Sequence, residues 1–63
     1  MAPEELEQAL ATLDLVQPTD AYAVKQRYRA LVSVHHPDRG GSTERVQEIN
    51  QAMLILERYY GKN

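Results

Sequence analysis

The sequence predicts an all-α fold, an antiparallel hairpin of two long helices with a shorter first helix packed across it. Three features of the chain require it. Apolar residues recur at helical spacing in three separate runs. No stretch alternates apolar and polar residues as a half-buried strand would. The two longer runs are joined by only a few residues, around Pro37 and Gly40-Gly41, so the helices on either side fold back on each other.

The first predicted helix runs from Pro3 to Leu13. Proline in a first turn forfeits no helical hydrogen bond, and Glu4 and Glu5 suit the positive end of the helix dipole. Leu6, Ala9, Leu10 and Leu13 fall at i, i+3, i+4 and i+7, which makes one apolar stripe. Leu15-Val-Gln-Pro-Thr19 is a connector, and Thr19 or Asp20 can cap the next helix by accepting from exposed N–H groups.

The second predicted helix runs from Asp20 to His35. At about 100° per residue, Val24, Tyr28, Leu31 and His35 fall in a sector of ~60°, with Val32 at its edge. His35 is thereby a partly buried structural histidine. Lys25 and Arg29 are four apart and share another stripe, continued by Ser33, while Arg27 lies on the far flank. Pro37 has no N–H to give and disfavours helical geometry in the residue before it, so the helix ends near His35 or His36. Asp38-Arg39-Gly40-Gly41 is then an exposed polar bend.

The third predicted helix runs from Ser42 to Tyr60, capped by Ser42 or Thr43 and closed by Gly61 in left-handed geometry. Its stripe is Val46, Ile49, Met53, Leu56 and Tyr60, with Ala52 beside it. Leu54 and Ile55 lie about 130° off it on either side, so both are expected outside the core. Val24 and Leu31 should close against Ile49, Met53 and Leu56.

A chain of 63 residues supports one domain, 1–63, with one thin core. It has no cysteine, so no disulfide or thiolate metal site can staple it. No apolar run approaches the roughly 20 residues that span a bilayer, and the start, Met-Ala-Pro-Glu-Glu, is not a secretory signal. A cytoplasmic location is expected, and a monomer, because the off-stripe apolar residues are too scattered to form a patch. No paired carboxylates, nucleophile–base set or glycine-rich phosphate loop is present, so the chain is not expected to be an enzyme. His35, His36 and Asp38 are poor metal ligands, since adjacent histidines diverge by about 100° and no further His or Cys completes a tetrahedral set. No metal or cofactor is expected.

Two binding classes remain. Lys25, Arg27 and Arg29 could meet nucleic-acid phosphates, but the net charge of -2 and the glutamates of the first and third helices count against it. The other class is a protein partner recognised at His36-Pro37-Asp38. The bland reading of that tripeptide is simple helix termination, and the bland reading of the cations is a solvated flank.

The order of segments resembles a J-domain, the module of DnaJ-type co-chaperones, over roughly Leu6 to Leu56. Leu13-Asp14-Leu15 resembles the end of that family's first helix, where Leu-Gly-Val is usual. Lys25-Gln-Arg-Tyr-Arg-Ala-Leu resembles its basic second helix, His36-Pro37-Asp38-Arg39-Gly40-Gly41 its signature loop, and Glu48-Ile49-Asn50-Gln51-Ala52 its third helix. There are departures. Asp14 stands for the usual Gly, Met53 for a common aromatic, and Gln47 for a frequent Lys, which removes one cation from the partner face. The fourth short helix, the Gly/Phe-rich region and the substrate-binding region of full-length DnaJ are not expected here. The Gly-Gly loop is most similar to the compact J-domains of mitochondrial import-motor proteins and their bacterial relatives, whose membrane anchor is not expected here.

The resemblance implies a DnaK-type chaperone ATPase as partner, with its ATP hydrolysis stimulated by this chain. It implies a partner-binding set of His36, Pro37, Asp38, Lys25, Arg29, Tyr28, Arg39 and Asn50, with Arg27 on the opposite flank. Asp38 can receive a bidentate arginine, Pro37 holds it outward, and Asn50 either braces the loop or faces water. The alternative is a J-like interaction module uncoupled from the ATPase.

Overall fold

The computed structural model describes residues 3–61. Three α-helices, α1 (Glu4–Thr12), α2 (Ala21–His35) and α3 (Thr43–Tyr60), are joined by a connector and by a single 3₁₀ turn at Pro37–Arg39. Their limits match the predicted ones to within a residue, because each is punctuated by local chemistry. Asp20 caps α2, its Oδ1 accepting from the Ala23 N–H at 2.8 Å. Ser42 caps α3, its Oγ accepting from the Arg45 N–H at 3.3 Å. The Ser42 hydroxyl also donates to Glu44, whose own backbone N–H and then this hydroxyl hold its carboxyl below the usual glutamate range.

The end of α1 explains how Asp14 replaces a glycine. Asp14 sits at φ 59°, in the left-handed region that Asp enters more readily than most residues. The Leu15 N–H donates to the Leu10 carbonyl at 2.8 Å and the Asp14 N–H to the Ala11 carbonyl at 3.0 Å. That 6→1 and 5→2 pair is a Schellman closure. At the other end of the chain Gly61 has φ 88° and ψ 163°, so it stops α3 with a positive φ but an extended ψ, not the left-handed helical geometry expected.

α3 is the shared wall. α2 runs antiparallel to it: Tyr28 meets Asn50 near the middle, and Ala21 and Tyr22 lie beside Tyr60 and Gly61. α1 is also antiparallel to α3, with Thr12 beside Arg45 at one end and Glu5 beside Tyr59 at the other. Leu6, Ala9, Leu10, Leu13, Val24, Ile49, Ala52 and Leu56 form one buried cluster, into which all three helices feed. Leu31, Met53, Tyr28, Val32 and Tyr60 pack against it from the edge, half-buried. His35 is half-buried as expected.

A second expectation fails. Ile55 is not outside the core: it is half-buried, packs against the cluster, and lines a cleft between α1 and α3 with Ala9 and Thr12. The stripe on α3 marks the side that meets α2. Because α1 covers a second side, the buried arc is wider than one stripe, and Ile55 falls within it. Leu54, on the other flank, is 59% exposed.

Candidate partner-binding site

His36 closes α2 and opens the 3₁₀ turn, with φ -62° and ψ 137°. The extended ψ is what a residue before proline prefers. Pro37 takes the first position of the turn, where a missing N–H costs nothing. The turn is then closed by its own backbone. The His36 carbonyl accepts from the Arg39 N–H at 2.9 Å and from the Gly41 N–H at 3.0 Å, and the Pro37 carbonyl accepts from the Gly40 N–H at 3.0 Å. Gly40 supplies the left-handed residue at φ 82°.

The side chains are placed by that frame. The Asp38 N–H donates to His36 Nδ1 at 3.2 Å. The Asp38 carboxylate lies 3.8 Å from the same nitrogen and is 90% exposed. Both of its oxygens therefore keep lone pairs free for a planar donor such as a guanidinium. Arg39 is exposed on the same turn.

The stripe of Lys25 and Arg29 leads towards this turn. Carried on at about 100° per residue, the phase of position 36 falls within ~20° of Lys25. Lys25, Tyr28 and Arg29 on α2 face Asn50, Met53, Leu54 and Glu57 on α3 across a shallow groove of about 440 Å³. From Ala21 to His35, α2 carries three cations and no acidic residue. Tyr28 bridges the two walls, its hydroxyl donating to Asn50 Oδ1 at 2.7 Å. Asn50 thus braces α2 against α3, not the loop.

Arg27 is engaged elsewhere. Its Nε donates to the Leu13 carbonyl at 2.9 Å and its Nη2 lies 3.1 Å from Asp14 Oδ2. Arg45 does the same from α3, Nη2 donating to the Thr12 carbonyl at 3.4 Å while Nη1 pairs with Glu48 at 3.0 Å. Two arginines from two helices thus satisfy carbonyls that the end of α1 leaves without helical partners. Sequence reasoning does not single out Arg45, and it reads Gly41 only as part of the bend. Arg45 reads as an ordinary charge in a first turn, and a glycine needed for close approach has no signature apart from one needed for a turn.

No helix among the described residues is long and apolar enough to cross a membrane. No family model matches the chain, and no solved structure is significantly similar to it. Three curated proteins are. A mitochondrial import inner membrane translocase subunit, TIM14 of Debaryomyces hansenii, is 37% identical over 62 residues, covering 97% of this chain and 34% of that protein. Mitochondrial DnaJ homolog 2 of Saccharomyces cerevisiae is 37% identical over 55 residues, covering 81% of this chain and 38% of its own. The tetratricopeptide repeat and J domain-containing co-chaperone DNJ1 of Mycosarcoma maydis is 43% identical over 42 residues, 65% of this chain and 7% of that protein. The chain therefore spans about a third of two of these relatives and a small part of the other. Two of these relatives are J proteins by name, and this chain carries an exposed His-Pro-Asp turn after a basic helix in an all-helical fold; the chain is a J-domain of the DnaJ type.

Proposed function

We propose that this J-domain binds a DnaK-type chaperone ATPase and stimulates its ATP hydrolysis, performing no chemistry itself. The observation that carries this is the Asp38 carboxylate, held outward on a backbone-closed turn at the end of a helix with only cationic charge. Lys25 and Arg29 draw in an acidic partner surface, with Tyr28, Asn50 and Arg39 at its margin. Asp38 receives an arginine of the ATPase, and Pro37 and His36 fix where it is offered. Arg27 serves the same site indirectly, by holding α1 to α2. A module of this kind acts by binding one conformation of its partner better than another.

Single-turnover ATP hydrolysis by a DnaK-type chaperone, with and without the chain, tests the reading. Acceleration is expected, saturating with chain concentration. Binding without acceleration would establish the other reading, a J-like module uncoupled from the ATPase, which the exposed Gln47 in place of a cation favours. We infer a monomer that works where such an ATPase is found. Sedimentation of one species near 7.2 kDa checks the first point. A fluorescent tag on the full-length protein separates a cytoplasmic site from the mitochondrial one carried in two relatives' names.

A further inference from the structure

We propose that Gly41 is the positioning residue of the His36-Pro37-Asp38 turn: its lack of a Cβ lets the base of the turn close on the His35 carbonyl, and that closure sets the direction in which Asp38 is offered. The proposal rests on the partner-binding reading above and deepens it.

Gly40 and Gly41 are adjacent but differ in what they supply. A Cβ built on Gly40 meets nothing within 4 Å, so this residue contributes only its φ of 82°. Gly41 has no positive φ. A Cβ there would overlap the carbonyl carbon and oxygen of His35 and lie 2.6 Å from its Cα. Those are backbone atoms of the last turn of α2, and they cannot rotate aside as a side chain would. The separation from that Cα alone has to open from 2.6 Å to the 3.4 Å where ordinary van der Waals packing begins.

The strain has one outlet. On one side of the overlap lies α2, anchored by the buried Val24 and the Tyr28–Asn50 bond. On the other lies α3, anchored by Ile49, Ala52 and Leu56. Between them, every residue from His36 to Gly40 is exposed and outside the core. Any side chain at 41 therefore stretches the Gly41 N–H bond to the His36 carbonyl, now 3.0 Å, and reorients the turn that this bond closes. Positioned interactions are steep in distance, and a misplacement of ~1 Å can cost roughly 10²-fold. Lys25 and Arg29 lie along α2, away from this strain, so encounter with the partner is preserved while the final alignment is lost.

The experiment compares the parent, Gly41→Ala and Gly40→Asn. It measures single-turnover hydrolysis by a DnaK-type ATPase against chain concentration, and amide NMR spectra of each free chain. Asn enters the left-handed region with little penalty, so Gly40→Asn is expected to keep the parent's plateau. Gly41→Ala is expected to lower the plateau at least tenfold and to move the half-saturating concentration less than threefold. A merely structural defect does the reverse: partial unfolding dilutes the active chain and leaves the plateau intact. Amide shifts are expected to be confined to residues 35–42 and to include Asp38. A parental plateau, an unmoved Asp38 amide, or loss of helical signal throughout Gly41→Ala would each overturn the proposal. A parent that fails to stimulate sinks the partner reading instead, while the Asp38 amide still reports whether Gly41 sets the turn.

Discussion

Replacing Arg27 by methionine isolates the contact that ties the end of α1 to α2. Methionine keeps the aliphatic stem and removes the guanidinium. Lost are the 2.9 Å bond to the Leu13 carbonyl and the 3.1 Å pairing with Asp14. A hydrogen bond from a charged donor contributes about 1.5–3 kcal/mol. The ion pair adds ~0–1 kcal/mol at most, since Arg27 is 39% and Asp14 79% exposed and water screens them. The favourable charge at a helix C-terminus is part of the same interaction and is not added again. The loss is therefore about 2 kcal/mol. For 63 residues at typical per-residue values the whole stability is roughly 3–9 kcal/mol, so this is a large share. For a domain of this size it lowers the melting temperature by about 8–16 °C. Circular dichroism melts of Arg27→Met and Lys25→Met measure it, with Lys25 as the exposed cation whose loss costs within ~0.5 kcal/mol. If the two variants melt together, Arg27 is not holding α1, and its charge is free for a partner after all.

Ile49→Ala, at a fully buried position, should cost about 2–5 kcal/mol, whereas half-buried Leu31 and Ile55 should each cost roughly 1–2 kcal/mol; urea unfolding with an Ile55→Ala midpoint equal to the parent's would put Ile55 back outside the core. Charge reversal at Lys25 or Arg29 should slow association with the ATPase and flatten its salt dependence, because rim charges act on encounter; stopped-flow rates that fall more for Arg27→Glu than for either would relocate the partner face. Tyr59 donates its hydroxyl to Glu5 at 3.0 Å, and that bond, chiefly, raises its pKa above the ordinary tyrosine value. A raised value favours the neutral phenol in the fold, so the latch is intact below the unfolded pKa near 10 and is lost as pH rises through the folded one. Phenolate absorbance should then show Tyr59→Phe deleting a titration step above the ordinary tyrosine value, and deletion of a step at or below that value would contradict the latch.

Much of this fold can be read from spacing because the signals are local. Asp20, Ser42 and Pro37 act within a turn of where they stand, and the stripe Leu6-Ala9-Leu10-Leu13 needs only one face buried. Ile55 escapes such a reading because a stripe reports the strongest face of a helix, not how many neighbours it has. Arg27 and Arg45 can be located on their helices, but their meeting at the end of α1 is a tertiary event with partners 14 and 33 residues away. The turn itself is legible as an exposed bend. Its closure is not, because Gly41 lies against a carbonyl of the preceding helix, and sequence shows a glycine but not the backbone beside it.

Single-turnover ATP hydrolysis by a DnaK-type chaperone, assayed with His36→Gln and Asp38→Asn, decides whether the exposed turn is what stimulates the ATPase. Both residues are exposed, and neither belongs to the core, so helical content and melting should stay within the range of a surface change, about 0.5 kcal/mol. Asp38→Asn leaves an amide where two carboxylate oxygens would take an arginine, and His36→Gln removes the imidazole that accepts from the Asp38 N–H. Both variants are expected to fold as the parent does and no longer to accelerate hydrolysis. Folded variants that accelerate hydrolysis as well as the parent would contradict this role of the turn.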